Sequence, residues 1–169
     1  QLLQEYDALA QAVFVEMFGE ESKYLTHFPK AFLNDIAEIV SGVAKNQKSV
    51  ERDFVEVPYM RVANVQDGSI NLTEVKTIKV SPKDFNKYQL KKDDILLTEG
   101  GDADKLGRGA VWGAVITPCI HQNHIFRVRI NDGQITPTYL SWHISSPYGK
   151  KYFLKAAKQT TGIASINLT

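Results

Sequence analysis

The sequence predicts an α+β fold, in which one small domain has a mixed, mostly antiparallel, twisted sheet and flanking helices. The chain has 169 residues, a length that suits one domain better than two. Hydrophobic residues make up 43% and charged residues 23%, which is typical of globular proteins and excludes a disordered chain. Apolar residues recur every three to four positions at the start and over residues 138–158, and every two positions between them. This pattern places helices on either side of a β-rich body.

The first helix is predicted over residues 1–18, with Gly19 ending it. Its apolar stripe, at spacings of three and four, consists of Leu2, Tyr6, Leu9, Val13 and Met17. Because a single helix of this length is marginal in water, it needs a partner. Two interpretations stay open: it is the end of a longer helix in a coiled-coil-like pair, or it docks on its own domain.

Several short strands are predicted in the body. They are residues 33–40, 55–65, 77–80, 95–98, 110–116 and 125–130. Pro58 places the start of the second strand at a sheet edge, and Asp67 with Gly68 predicts a tight turn after it. Residues 138–158 form two helical pieces divided at an internal proline, and residues 162–166 predict a last strand.

The net charge of +1 is divided unevenly along the chain. Residues 1–57 carry five basic and ten acidic side chains, whereas residues 58–169 carry 15 basic and nine acidic ones. From Ser145 onward there are four lysines and no acidic residue. A basic body behind an acidic leader is compatible with a partner that carries phosphates.

The compartment follows from what the sequence lacks. Cys119 is the single cysteine, so no disulfide forms within the chain and a disulfide-stapled secreted scaffold is excluded. No apolar run approaches the roughly 20 residues that span a bilayer. The cytoplasm is therefore expected. The chain opens on Gln1, which suggests a piece of a longer polypeptide.

No catalytic site, metal site or cofactor is predicted. The glycine-rich residues 99–109 lack the spacing of a phosphate-binding loop or of a calcium loop. Two interpretations stay open: a flexible loop at the end of a strand, or a loop whose two flanking cations contact an anionic partner. Cys119 and His121 share one face of a strand while His124 points to the other, so a metal site is not formed. Residues 146–149 (SPYG) resemble a DNA methyltransferase active-site motif with one proline missing, and a helix-breaking turn is the better interpretation.

Seven stretches of the sequence together resemble a target recognition domain of the specificity subunit of Type I restriction-modification systems. The first resembles the end of that family's spacer helix, the second the opening of a recognition domain, and the others follow the family's pattern through the body. They are residues 12–19 (AVFVEMFG), 36–42 (IAEIVSG), 57–65 (VPYMRVANV), 95–101 (ILLTEGG), 106–110 (LGRGA), 119–129 (CIHQNHIFRVR) and 160–167 (TTGIASIN).

The resemblance implies a sequence-specific DNA-binding module without catalytic activity. In this family, two recognition domains held apart by paired spacer helices each read one half of a split target, while separate subunits methylate adenine and cleave. Residues 1–19 would be the end of a spacer helix, and residues 20–169 the recognition domain, here the second of an intact subunit. The implied partners are double-stranded DNA, the methyltransferase and restriction subunits, and the other recognition domain, with no cofactor. A single domain is expected to bind DNA weakly.

Candidate DNA contacts follow from side-chain chemistry. Lysine and arginine neutralise phosphates, and the candidates are Lys105, Arg108, Lys150, Lys151, Lys155 and Lys158. Arginine pairs with guanine, and asparagine or glutamine with adenine, in the major groove; the candidates are Arg61, Asn64, Gln122, Asn123, His124 and Gln159. Backbone capping is the competing interpretation for Asn64, Asn123 and His124. Arg127 and Arg129 share one face of a strand, and both are interpreted as surface residues.

Two other functions remain open at this point. The recognition domain could be excised from a chain fused to a methyltransferase or nuclease. Alternatively, the chain could be a protein-interaction module without a DNA role, which would bind its partner through the leader helix and show no salt-dependent affinity for DNA.

Overall fold

The alternation of helical and strand periods is borne out along most of the chain. The computed structural model describes residues 2–19, 28–44, 53–101, 106–131, 133, 135–160 and 163–165. Its helices are α1 (Leu2–Phe18), α2 (Leu33–Ile36), α3 (Pro82–Tyr88), α4 (Pro137–Ser145) and α5 (Pro147–Ala156), with a 3-10 turn at Val62–Asn64. Its strands are β1 (Ala37–Ser41), β2 (Val55–Met60), β3 (Lys76–Val80), β4 (Ile95–Thr98), β5 (Gly100–Gly101), β6 (Gly109–Val111), β7 (Ile120–His121), β8 (Ile125–Ile130), β9 (Lys158–Thr160) and β10 (Ile163–Ser165).

The strands of the described residues form three sheets. A four-stranded antiparallel sheet has the order β1-β8-β4-β6. A mixed sheet has the order β3-β2-β7, since β2 is antiparallel to β3 and parallel to β7. A small antiparallel sheet has the order β5-β10-β9. The α+β class is confirmed, but the prediction of one sheet is corrected to three. Strands of two or three residues are too short to leave a periodic signal in the sequence.

Two predicted strands are shorter than expected. The first begins at Ala37, because Leu33–Ile36 forms one helical turn before it. The fifth, over residues 110–116, ends at Val111, and Ala114 has a φ of 54°, which lies outside the strand region.

The second predicted strand is also cut short, at Met60, where the chain turns into the 3-10 turn. Pro58 lies in β2, the middle strand of the order β3-β2-β7, but β7 pairs only with Tyr59 and Met60. Among the described residues no strand faces Pro58 on that side, so the start of β2 is an open edge there, as the proline predicted.

Helix α3 was not predicted, although its capping signal is present. The Ser81 hydroxyl accepts a hydrogen bond from the Asp84 N–H (3.0 Å), and Pro82 occupies the first turn. Serine followed by proline is a typical helix start. The same device begins α4 at Thr136 and α5 at Ser146, which accounts for the predicted division of residues 138–158 into two helices.

The apolar core lies on both faces of the four-stranded sheet. Ile95 and Leu97 of β4 pack on one face, with Leu140 and Ile144 of α4. Leu96 points to the other face and packs with a cluster that reaches the mixed sheet, including Met60, Val65, Trp112, Cys119 and Ile125. Because successive side chains of a strand alternate between faces, a β4 that is buried throughout joins the two clusters.

Helix α1 docks on α4 through one of its faces. The Phe14 ring, 6% exposed, lies edge-on to Tyr139 (5.5 Å between centroids) and to Trp142 (5.7 Å). The predicted stripe lies on a different face and is exposed, from Leu2 (64%) to Met17 (45%). The helix therefore has one apolar side packed on its own domain and a second apolar side at the surface. None of the described helices is long and apolar enough to cross a bilayer.

Candidate functional site

A short β-turn between β7 and β8 carries three of the predicted base-reading residues. Residues 122–125 form this turn, closed by a hydrogen bond from the Ile125 N–H to the Gln122 carbonyl (2.9 Å). Asn123 and His124 occupy its tip, and His124 is 57% exposed along its side chain. We call residues 122–125 the fixed turn, because neighbouring strands hold nearly all of its backbone.

Three segments distant in sequence hold the backbone of the fixed turn. From the β1 end, the Ser41 hydroxyl donates to the Asn123 carbonyl (2.6 Å), and the Val43 carbonyl accepts from the Asn123 N–H (2.9 Å). From β2, the Met60 carbonyl accepts from the Gln122 N–H (3.0 Å). From the β4 end, the Glu99 N–H donates to the His124 carbonyl (3.0 Å). With its backbone groups paired in this way, the turn presents its side chains from a rigid base.

The close approach of β1 to this turn depends on Gly42. A Cβ atom on Gly42 would lie 2.1 Å from the His121 carbonyl oxygen and 2.6 Å from that of Gln122. Real Cβ atoms do not come this close to backbone oxygens, so only glycine fits without moving the strands apart.

The side chains at the tip form a chain of three polar groups. The Glu99 carboxylate lies 2.7 Å from Nδ1 of His124. On the other side of the imidazole, Nδ2 of Asn123 lies 3.4 Å from Nε2. Glu99 was not singled out in the sequence, because its proximity to His124 depends on the pairing of β4 with β8 and not on any local pattern.

Arg61 lies beside the fixed turn, because β2 and β7 are parallel and Met60 is level with His121. Its guanidinium donates to the carboxylate and to the carbonyl of Glu74, both at 3.2 Å. The hydrogen bond from Arg61 to the carboxylate, with a further one from Lys76, lowers the pKa of Glu74.

Asn64 follows in the 3-10 turn and is 3% exposed. Its amide nitrogen donates to the carbonyls of Asn71 (2.8 Å) and Glu74 (2.9 Å), and its oxygen accepts from the Arg61 N–H (3.0 Å). The geometry favours backbone capping over base contact for Asn64.

Arg108 and Lys150 are brought together by the predicted tight turn. Arg108 donates to the Gln66 side-chain oxygen (3.2 Å), and Lys150 forms an ion pair with Asp67 (2.6 Å). The turn itself has the predicted form, with Gly68 at a φ of 74° and a hydrogen bond from its N–H to the Gly109 carbonyl (2.9 Å). The two cations therefore lie on one continuous surface.

Helix α5 extends this surface. Lys151, Tyr152 and Lys155 are exposed along it, and Tyr152 is 65% exposed. The helix is held at its base by Phe153, which packs against Gly107 of the glycine-rich loop. Lysines around an exposed aromatic ring are a combination that nucleic acids favour, through phosphate contacts and stacking.

The remaining candidates lie at the edge of this region or outside the described residues. The backbones of Lys158 and Gln159 belong to β9, which pairs with β10 next to β5. Gln159 and Gly101 are both level with Ala164. Lys105 lies outside the described residues.

The other polar residues of residues 119–129 belong to the framework. Arg127 is 3% exposed and donates to Glu38 (2.8 Å) and to the carbonyls of Lys87 and Gln89. Arg129 forms a bidentate pair with the buried Asp94 (2.7 and 2.8 Å). The interpretation of both arginines as surface residues is therefore corrected for Arg127, because its strand is covered on both faces.

Cys119 and His121 are buried as well. Burial raises the pKa of the Cys119 thiol to about 12 and lowers the pKa of His121 to about 4. Nδ1 of His121 donates to the Ile125 carbonyl (3.0 Å), and this hydrogen bond ties the buried ring to the last residue of the turn. Within the described residues no group of three histidine, cysteine or acidic side chains converges as a metal site would require.

Comparisons with known proteins agree with the resemblance seen in the sequence. The chain is 28% identical over 138 residues to the Type I restriction enzyme StySPI specificity subunit of Salmonella potsdam. The aligned region covers 79% of this chain and 28% of that protein, so the chain spans less than a third of its curated relative. No family model matches the chain.

Two solved structures share the fold. The HsdS subunit from Thermoanaerobacter tengcongensis matches with a TM-score of 0.56 and 15% identity, over 98% of this chain and 40% of that one. A chain from a structure of the assembly and conformational transition of the type I R-M system matches with a TM-score of 0.55 and 14% identity, over 83% of this chain and 33% of that one. The predicted relationship to Type I specificity subunits and the predicted fold class are confirmed.

Proposed function

We propose that this chain, a relative of Type I restriction specificity subunits, binds double-stranded DNA and reads one half of a split target sequence. The observation that carries the proposal is the fixed turn, whose amide and imidazole side chains stand at the surface. Such groups read base edges in the major groove. They act by binding, and the chain would pass its specificity to partner enzymes without catalysis of its own.

The surface around the fixed turn also carries basic side chains. Arg108, in the glycine-rich segment, contacts Gln66, and Lys150, in α5, pairs with the neighbouring Asp67. The same helix adds the exposed Lys151 and Lys155. Contacts of lysine and arginine with phosphates position a protein on DNA, whereas contacts with bases specify the sequence. A rigid reading turn beside a basic helix provides both kinds of contact.

The proposed partners are those of the related subunits. The methyltransferase and restriction subunits would act on the DNA that this chain selects, and a second recognition domain would read the other half-site. Helix α1, as part of residues 1–19, would be the end of a spacer helix, with its exposed stripe against a second helix. Residues 20–169 would be the recognition domain, and the assembly would work in the cytoplasm.

The test is selection of bound sequences from a pool of random duplex DNA, at about 50 mM and about 200 mM salt. The proposal expects salt-sensitive binding and enrichment of one short motif. Replacing Lys150, Lys151 and Lys155 together by Gln should weaken binding equally across sequences. The slope of log K against log salt should fall in magnitude by up to about 0.9 for each phosphate that the variant no longer neutralises.

A matched control carries the same charge change elsewhere. Lys83, Lys87 and Lys91 are exposed, and Lys83 and Lys91 lie at the ends of β3 and β4 opposite to the fixed turn. Replacing these three by Gln should leave the salt slope nearly unchanged. Equal effects of the two triple variants would indicate a generic basic surface. Absence of binding at low salt would overturn the DNA proposal and favour a protein-interaction module.

A further inference from the structure

We propose that Glu99, through His124, holds the Asn123 amide in the orientation that selects adenine at one position of the target. The inference rests on the proposed function and names the base that the fixed turn reads. Asn123 is the residue that would touch the base. Glu99 and His124 are positioning residues, because they act on the base only through Asn123.

The contact with Glu99 decides which ring nitrogen of His124 carries a proton. A carboxylate can only accept hydrogen bonds, so the contact of 2.7 Å between Glu99 and Nδ1 of His124 places a proton on Nδ1. When the imidazole is neutral, its proton on Nδ1 leaves a lone pair on Nε2. In that form the His124 ring is an acceptor on the side that faces Asn123.

The His124 ring sets the orientation of the Asn123 amide. Its Nδ2 lies 3.4 Å from Nε2 of His124, so one of its two N–H groups donates to the ring. The flipped amide would direct its oxygen at the Nε2 lone pair, and two acceptors repel each other. The imidazole thus distinguishes the two amide orientations, which the backbone alone does not.

The oriented Asn123 amide still has hydrogen-bonding groups free to meet a base. With one N–H engaged, Asn123 retains its Oδ1 acceptor and a second N–H donor, side by side. Adenine presents an acceptor at N7 and a donor at N6 in the major groove, and an asparagine amide meets this pair with two hydrogen bonds. No other base presents an acceptor and a donor side by side in the major groove.

The fixed turn holds these side chains on a rigid backbone. The Asn123 backbone is held on both sides by Ser41 and Val43, and Glu99 contacts His124 through its backbone N–H as well as its carboxylate. A preorganised amide loses little freedom on binding. A purely structural role for Glu99 would give stability but no base preference, so base preference is the readout that separates the two.

The experiment uses the random-duplex selection with the whole 169-residue chain. The parent chain should enrich a motif with at least one strongly preferred adenine. Asn123→Ala should lose preference at one adenine position only, with about a tenfold loss of affinity for the parent motif, within the range expected for a bidentate contact. Glu99→Ala should weaken the same preference, whereas Glu99→Gln, whose amide oxygen still accepts from Nδ1, should restore most of it.

Two controls isolate the hydrogen bonds between Asn123 and adenine. Asn86→Ala changes an exposed asparagine on α3 and should leave every base preference intact. Replacing the preferred adenine by 7-deazaadenine removes the N7 acceptor alone. This change should weaken binding of the parent chain about tenfold and have almost no effect on the Asn123→Ala variant.

The outcomes separate this inference from the function on which it rests. If the parent chain enriches no motif, the proposed DNA reading fails and the inference fails with it. If the parent chain enriches a motif but Asn123→Ala keeps full preference at every adenine, the DNA reading stands and the inference is wrong. Glu99→Ala behaving like the parent chain would likewise remove Glu99 from the positioning role.

Discussion

Asp94 is a buried carboxylate at the start of β4 whose charge is fully compensated. It is 1% exposed, pairs with Arg129 through two hydrogen bonds, and accepts a third from the Lys91 N–H (2.7 Å). The hydrogen bonds to Asp94 raise the pKa of Arg129. The pair joins β4 to β8, the strand that leads out of the fixed turn.

Neutralising Asp94 should destabilise the fold. Asp94→Asn leaves a guanidinium without its counter-charge, and we expect the free energy of unfolding in urea to fall by about 3 kcal/mol. The neighbouring Asp93 is exposed with a φ of 71°, a conformation that asparagine tolerates. Asp93→Asn should therefore change the free energy of unfolding by less than about 0.5 kcal/mol. Similar losses from both variants would contradict a specific role for the Asp94–Arg129 pair.

His121 makes the stability depend on pH. Burial lowers its pKa to about 4, against about 6.5 in an unfolded chain. Between these values the unfolded chain takes up a proton that the folded chain does not, so stability falls as pH drops from about 6.5 to about 4. Below both pKa values the decrease in stability has reached its full size. Above about pH 6.5 the histidine is neutral in both states, so it adds no pH dependence to the stability.

The prediction is tested by comparing the free energy of unfolding at pH 7 and at about pH 4.5. The His121 contribution to the difference should be about 2–3 kcal/mol, and His121→Gln should remove it, although this variant starts less stable at pH 7. Asn86→Ala, which removes no titratable group, should keep the parent difference. An unchanged difference in the His121→Gln chain would show that other groups cause the acid sensitivity.

Among the elements, the junction of β1 with the fixed turn depends most on one backbone position. A Cβ at Gly42 would meet two carbonyl oxygens within 2.6 Å, so Gly42→Ala must push β1 away from the turn. We expect a loss of about 2–3 kcal/mol in the free energy of unfolding, and weaker base discrimination because the turn loses its support from Ser41 and Val43.

Gly113→Ala is the matched control, since its Cβ would meet only Val115 Cγ2 at 3.7 Å. Its thermal midpoint and base preferences should stay close to those of the parent chain. If Gly42→Ala is equally harmless, the close packing of β1 on the turn is not needed for either stability or reading.

At the scale of the whole molecule, α1 has one face packed on its own domain and a second face at the surface. Phe14 anchors the helix on α4 through Tyr139 and Trp142, while Val13, one residue earlier, is 45% exposed. One helix thus offers an inner face for its own domain and an outer face for the proposed second helix. Both interpretations left open by the sequence can hold together.

Phe14→Ala should release α1 without unfolding the domain. Removing a buried phenylalanine costs about 3 kcal/mol or more, so amide exchange in α1 should accelerate about a hundredfold while β4 and β8 stay protected. Val13→Ala should leave exchange in α1 nearly unchanged. Global loss of protection in the Phe14→Ala chain would show instead that α1 and the domain unfold as one unit.

Local sequence signals determined much of the secondary structure of this protein. Apolar periodicity is a property of neighbours in sequence, so it located α1, β4, β8 and the helices on both sides of Pro147. The turn at Asp67 and Gly68 followed from residue chemistry alone. The resemblance to Type I specificity subunits was also visible in the sequence, because the stretches that carry it are contiguous. What periodicity missed was short or irregular, such as β7 and the end of β2 at Met60.

Only the tertiary structure decided which polar residues are buried and which meet at the surface. Glu99 and His124 are 25 residues apart, Arg108 and Gln66 are 42 apart, and Lys150 and Asp67 are 83 apart. Such contacts depend on strand register, as in the pairing of β4 with β8, which no local pattern encodes. Long-range packing also buries Asn64, whose amide bonds the carbonyls of Asn71 and Glu74, and leaves Asn123 at the turn tip, although the two side chains are chemically identical. Side-chain chemistry indicated which residues could contact DNA. The long-range packing of the strands then decided which of them cap the backbone and which lie at the surface.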